Sequence, residues 1–168
     1  MKPYVLAIVG HSGAGKTTLI ERLLPVLTAQ GLRVATMKHS HHEIDLDDAG
    51  KDSWRHKQAG AKANLLLTPS GLRLVADVTD ACDPSQLAQH YFADMDLVLA
   101  EGFSRAVCPK IEVLRAACAL APRCTVADGL IAMASDVGIQ HLQLVQFSLD
   151  DSNAIAEFIA EKILDDEG

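Results

Sequence analysis

Apolar and polar positions change rhythm along this chain, and the changes separate short strands from amphipathic helices. Residues 4–9, YVLAIV, form an apolar run that stops at Gly10. Leu19, Ile20, Leu23, Leu24 and Leu27 then recur at helical spacing until Gly31, since side chains three and four apart share one helix face. The reading is strand, loop, helix, with a kink expected at Pro25 because proline removes one backbone donor. Residues 32–37 give a second strand. Residues 38–52, KHSHHEIDLDDAGKD, carry no apolar period and are dense in His and Asp, which makes them a polar loop able to host chemistry.

Beyond that loop, Ser53 is expected to cap a short helix over 53–62 that ends near Gly60. Runs at 63–68 and 72–76 flank Pro69-Ser70-Gly71, and a Gly-containing three-residue break between β-prone runs predicts a hairpin. Residues 84–92 read as helix. Residues 97–100 read as a strand whose continuous apolar run fits a sheet covered on both faces. Strands follow at 111–114, 130–134 and 142–147, while 116–123 gives no assignable pattern. Asp151 or Ser152 caps a last helix with Ile155, Phe158, Ile159 and Ile163 on one face. Alternating strands and helices predict an α/β fold with a mainly parallel sheet and a hairpin extension. No internal repeat or linker interrupts the chain, so residues 1–168 are expected to form a single domain.

Composition narrows the function classes. The 168 residues are 49% hydrophobic and 22% charged, enough for about two thirds of the unfolded surface to be buried. A formal charge of −7 opposes attraction to polyanions, and aromatics at 4% leave little for base stacking, so nucleic acid is not an expected partner. The longest apolar stretches, 97–100 and 130–134, fall far short of the roughly 20 residues of a membrane span. MKPYVLAIVG leads into GHSGAGKTT rather than a small-residue cleavage site, so the start reads as a first strand and the location as cytoplasmic. Cys82, Cys108, Cys118 and Cys124 form no C-x-x-C pair and are expected to be reduced.

The chemistry begins at Gly10-His11-Ser12-Gly13-Ala14-Gly15-Lys16-Thr17, which fits the P-loop pattern G-x-x-x-x-G-K-[ST] and stands between a predicted strand and a predicted helix. The glycines let the backbone curl with its amides inward, and the helix start adds its positive end, so a di- or triphosphate meets donors already oriented. Residues Gly10 to Lys16 with Thr17 and Thr18 are the candidate nucleotide ligands. Lys16 would reach the β and γ phosphates and Thr17 would ligate Mg²⁺. This loop makes the expected architecture a three-layer P-loop NTPase sandwich.

Two acidic regions complete the candidate site. Asp96-Leu97-Val98-Leu99-Ala100-Glu101-Gly102 is an apolar strand ending in a carboxylate, the form of a Walker B strand, so Glu101 is a candidate for holding Mg²⁺ or polarising water. In the 38–52 loop, Asp45 or Asp47 would serve as metal ligand or water-orienting base, in a segment able to move between nucleotide states. His39, His41 and His42 in the same loop admit a transition-metal reading instead. Lys16, Glu101, Asp45 and Asp47 are thus the candidate catalytic residues, and Thr17, Glu101 and Asp45 the candidate metal ligands. Lys51, Arg55 and Lys57 at helical spacing offer cations to a second anion or a solvated face, and Arg105 is a further phosphate candidate.

Leu130-Ile131-Ala132-Met133-Ala134-Ser135-Asp136 is a late strand ending in Ser-Asp. In P-loop GTPases a carboxylate at the corresponding place accepts from N1–H and the exocyclic amine of guanine. Adenine lacks that donor pair, so Asp136 favours GTP. The other reading of Asp136 is a turn cap before Val137 and Gly138.

GHSGAGKTTLIERLLP, MKHSHHEIDLDDAGKDSWRHKQAGA, DLVLAEGF with Lys110-Ile111-Glu112, and IAMASDV together resemble the molybdopterin-guanine dinucleotide biosynthesis protein B family, MobB. The resemblance spans nearly the whole chain, and the second segment is its most specific part. It implies a GTP-binding protein, usually a homodimer, with weak intrinsic GTPase activity. Such a protein assists the guanylyltransferase MobA in converting molybdopterin cofactor to its guanine dinucleotide form. Two other functions use the same loop: a small-molecule kinase or ATP-dependent ligase, and a nickel metallochaperone GTPase. A kinase needs arginines that clamp the transferred phosphoryl group, and no Arg-dense segment is visible in the sequence.

Overall fold

The computed structural model describes residues 2–40, 47–78, 83–119, 121–139 and 143–166. In chain order the elements are β1 (Tyr4–Val9), α1 (Lys16–Ala29), β2 (Val34–Lys38), α2 (Asp52–Gln58), β3 (Ala63–Thr68), β4 (Gly71–Ala76), α3 (Pro84–Tyr91), β5 (Leu97–Glu101), β6 (Lys110–Leu114), β7 (Leu130–Ser135), β8 (Val145–Ser148) and α4 (Ser152–Asp166). They fall into two compact units, Met1–His39 with Asp83–Gly168, and Ser40–Cys82.

The first unit is a six-stranded sheet in the order β2-β5-β1-β6-β7-β8, and every neighbouring pair runs parallel. Parallel sheets need cover on both faces, and alternate residues of the central strands feed two cores. Leu6, Ile8, Leu97, Leu99, Ile111 and Val113 pack with Leu19, Leu23 and Leu27 of α1 and Ile155, Ile159 and Ile163 of α4. On the other face Val5, Ala7, Val9, Val98, Ala100 and Met133 pack with Ala88 of α3 and Phe103. The result is three layers with β1 at the centre. The strand order reverses about β1, which lies between β5 and β6, and a crevice at such a reversal is where open α/β sheets bind ligands.

Local chemistry explains where elements begin and end. α1 runs unbroken through Pro25, and its exit is a Schellman motif: Gly31 at φ 90° donates to Thr28 O at 3.0 Å and Leu32 to Leu27 O at 3.3 Å. Leu32 therefore belongs to the helix exit, and β2 starts at Val34 rather than at residue 32. Asp151, not Ser152, caps α4, its Oδ1 accepting from the Ala154 amide at 3.1 Å.

The second unit carries α2 and the hairpin. α2 starts at Asp52 behind an extended Lys51 with no side-chain cap, so Ser53 sits within the first turn instead of capping it. Gly60, at φ 110°, ends the helix with its amide on Lys57 O and that of Ala61 on His56 O. β3 and β4 pair antiparallel, and Gly71 pairs with Thr68, which shortens the connection to Pro69 and Ser70. Leu65 faces Leu74 and Leu67 faces Leu72, so these leucines share one face of the hairpin; they are exposed by 57%, 40%, 73% and 61% respectively. Among the described residues no helix is long and apolar enough to cross a membrane.

Candidate functional site

Parallel strands deliver all their carboxyl ends to one edge of the sheet, and the sequence candidates of the first unit gather there. The loop after β1 holds the Gly-rich motif, β5 ends in Glu101, β2 ends in Lys38, and Asp136 follows β7. Ile8 is level with Glu101 in the β1–β5 pairing, and Lys38 is level with Glu101 in the β2–β5 pairing.

The loop has the backbone its glycines were expected to permit. Gly10, Gly13 and Gly15 have φ of 140°, 77° and 101°, values that L side chains rarely adopt. At Gly10 the restriction is also spatial, because a Cβ would stand 2.3 Å from the Val113 carbonyl oxygen of β6. The ammonium of Lys16 folds back into the loop and donates to Gly10 O at 3.1 Å and His11 O at 2.8 Å. Burial holds this ammonium below the ordinary lysine value; Glu101 opposes the shift, while the nearby Arg123 and Lys38 charges reinforce it. Lys16, Thr17 and Thr18 open α1, where amides lack intrahelical acceptors and point to the loop.

Glu101 is buried, at 9% exposure, so this strand-end carboxylate does not face solvent. Its two oxygens each accept from the Thr17 hydroxyl at 3.0 Å, and Lys38 Nζ lies 3.4 Å from Oε1. Gly102, at φ 93°, is required by the neighbouring strand end: a Cβ there would meet His39 O at 3.0 Å.

Sequence reading missed the segment after β6. Arg115 sends Nε to the Ala14 carbonyl at 3.4 Å, and its guanidinium lies 3.5 Å from where a Gly15 Cβ would be. Cys118 Sγ lies 3.9 Å from the corresponding point at Gly13. Glu112, fully buried, holds the far end of the segment by accepting from the amides of Arg123 at 2.7 Å and Cys124 at 2.9 Å. Pattern reading had no periodicity to use there; the signal was the β6 strand itself, which pairs with β1 and so brings its following loop beside the P-loop. Lys110, also fully buried, donates to the carbonyls of Ala106 at 2.6 Å, Cys108 at 3.2 Å and Asp128. It fastens loops at the amino end of β6.

The remaining candidates have other partners. Asp136 is exposed, and its Oδ1 accepts from the Ala116 amide at 2.8 Å, so it braces the same post-β6 segment; the turn to Val137 is instead bonded by Ser135 Oγ at 3.1 Å. Asp47 belongs to the second unit, where the Ser53 hydroxyl, then Asp48 and Arg73, hold its carboxyl below the usual range. It forms an ion pair with Arg73. Asp45, His41 and His42 lie outside the described residues, as does Cys82. Lys57 is engaged by Asp77 and by Lys62 O, and Arg55 by Asp52 at 3.7 Å. Arg105 lines a cavity with Lys110 and Gly129 at the amino ends of β6 and β7, away from the phosphate loop. Cys108, Cys118 and Cys124 are free thiols, and burial pushes those of Cys108 and Cys124 up. Among the described residues no cluster of His, Cys, Asp and Glu is arranged to hold a metal ion by itself.

A Gly-rich loop joining the central strand of a parallel sheet to a helix, with a Lys folded into it and a strand-end carboxylate opposite, defines the P-loop class of α/β proteins. Comparison takes the assignment further. The family profile of molybdopterin guanine dinucleotide synthesis protein B matches residues 5–136, and the chain belongs to this MobB family. It is 34% identical to the molybdopterin-guanine dinucleotide biosynthesis adapter protein of Escherichia coli K12, over 94% of this chain and 91% of that one. With the Haemophilus influenzae adapter protein it shares 43% identity over 64% of this chain and 61% of the relative, so that match spans less than two thirds of the relative's length. A crystal structure of molybdopterin-guanine biosynthesis protein B superposes with TM-score 0.72 at 30% identity, covering 95% and 98% of the two chains. Bacillus subtilis MobB gives 0.71 at 29%, covering 94% and 97%.

Proposed function

We propose that this chain binds GTP with Mg²⁺ on its P-loop and acts as an accessory protein in making the guanine dinucleotide form of molybdopterin cofactor. In this reading it works in the cytoplasm as a homodimer, beside the guanylyltransferase MobA, and hydrolyses GTP slowly at most. The observation that carries the proposal is the meeting of Thr17 and Glu101 beside Lys16. A hydroxyl and a carboxylate are the hard oxygen donors that Mg²⁺ takes, so the residues present fit the ion. Bound there, Mg²⁺ would offset charge on the β and γ phosphates.

The chain's own groups supply the rest. Lys16 exchanges two backbone carbonyls for phosphate oxygens, and the amides at the start of α1 donate to the same phosphates. Asp136 gives one oxygen to Ala116; a carboxylate has about four acceptor positions, so acceptors remain for the two guanine donors. Support for the homodimer comes from the shared apolar face of Leu65, Leu67, Leu72 and Leu74, exposed as it is. The role in cofactor synthesis rests on family membership together with this site. It is tested by reconstituting guanine dinucleotide formation from purified guanylyltransferase, molybdopterin cofactor and GTP. Wild type is expected to raise the yield and Lys16→Ala not to; equal yields with and without the chain would refute the role.

A further inference from the structure

Four cationic side chains lie on or beside the P-loop, and only two have an obvious task. Lys16 belongs to the motif and Lys38 is paired with Glu101. Arg115 and Arg123 enter from the opposite side, on the segment after β6. Arg115 is exposed, and its guanidinium rests on the Ala14–Gly15 backbone through one long bond at 3.4 Å. Arg123 is exposed too, while its backbone amide is fixed by the buried Glu112, which stands level with Val9 at the end of β1, one residue before the loop; its charge adds to the depression of Lys16. Among the described residues neither guanidinium forms an ion pair with a carboxylate.

An anion seated in the loop would give these two guanidinium groups the partner that no carboxylate supplies among the described residues. The segment is also braced at both ends, by Asp136 on the Ala116 amide and by Glu112 on the Arg123 and Cys124 amides. The guanidinium groups are therefore carried on fixed backbone beside the place where phosphates would sit, and their planar forks suit phosphate oxygens.

We infer that Arg115 and Arg123 are ligands of the nucleotide's phosphate chain, closing the P-loop from the β6 side. The inference rests on the nucleotide-binding reading of the site and adds a second wall to it. It also revises the sequence argument against a phosphate clamp: the arginines stand eight positions apart in the chain, and the fold brings them to one loop.

The experiment is calorimetric titration of GTP with Mg²⁺ into wild type, Arg115→Gln, Arg123→Gln, Lys16→Ala and Arg105→Gln. Gln keeps much of the stem and removes the charge, and thermal melting of each variant verifies that it is folded. A charge-assisted hydrogen bond is typically worth enough to change affinity at least tenfold. Each of Arg115→Gln and Arg123→Gln is expected to weaken GTP at least about tenfold, with Arg105→Gln binding as wild type. A smaller loss in either variant, with Lys16→Ala not binding, overturns the inference and leaves the nucleotide reading standing. Wild-type affinity in Lys16→Ala overturns both.

Discussion

The Thr17 hydroxyl donates to both carboxylate oxygens of Glu101 at 3.0 Å although the two residues are 84 positions apart. Neighbouring parallel strands create that contact. β1 and β5 run level, so Thr17 in the first turn of α1 and the residue ending β5 come to the same point of the sheet edge. The carboxylate there is largely excluded from water and is met by the Thr17 hydroxyl and, at 3.4 Å, by the Lys38 ammonium.

Glu101→Gln tests whether this pair handles the metal. The amide still accepts from Thr17 but loses the negative charge that Mg²⁺ needs. GTP affinity in wild type is expected to fall at least tenfold when Mg²⁺ is replaced by EDTA, and in the variant to change by less than about twofold. Calorimetry in the two buffers checks this; an equal metal dependence in both proteins would remove Glu101 from the metal side.

Glu112→Gln addresses the segment that carries Arg115 and Arg123. Each Glu112 oxygen accepts one backbone amide, and Gln has only one acceptor oxygen, so one amide is left facing a donor. The expected cost is about 1–3 kcal/mol by denaturant unfolding. Hydrogen exchange should quicken at residues 121–124 and leave β1 unchanged. Unaltered stability and exchange would show that the buried carboxylate does not fasten the segment.

Much of this arrangement was legible in the sequence, and the boundary has a physical cause. The P-loop, the strand-end Glu101 and the hairpin are local patterns: a glycine-rich turn between apolar runs, a carboxylate closing an apolar run, and two β-prone runs about a tight break. Arg115, Arg123 and Glu112 act through topology instead. Arg115 reaches the Ala14 carbonyl and Glu112 accepts from the Arg123 amide, a proximity set by β6 lying beside β1, and no spacing along the chain encodes that. The start of β2 was missed for a smaller reason, since Leu32 is as apolar as a strand residue while its amide is spent on the helix exit.

Arg33 and Asp96 give a pH signature remote from the site. The backbone amide, Nε and Nη2 of Arg33 donate to Asp96 at 2.7, 3.1 and 2.6 Å. The side-chain bonds from Arg33, then its amide, hold the Asp96 carboxyl below the usual range. Because the folded value is the lower one, the stabilisation is present above the unfolded value of about 3.9 and is lost as pH falls through the folded value. Asp96→Asn is therefore expected to be less stable than wild type at pH 7, with the difference shrinking below about pH 4. Urea unfolding at a series of pH values checks this, and a constant difference down to the lowest pH would contradict it.

Base choice tests the central claim most directly. GTP and ATP, each with Mg²⁺, are titrated into wild type and Asp136→Asn. Wild type is expected to prefer GTP by at least about tenfold, and Asp136→Asn to lose most of that preference, a difference of the order of one or two hydrogen bonds. A preference for ATP, or a GTP preference untouched by Asp136→Asn, would contradict the placement of guanine at this end of β7.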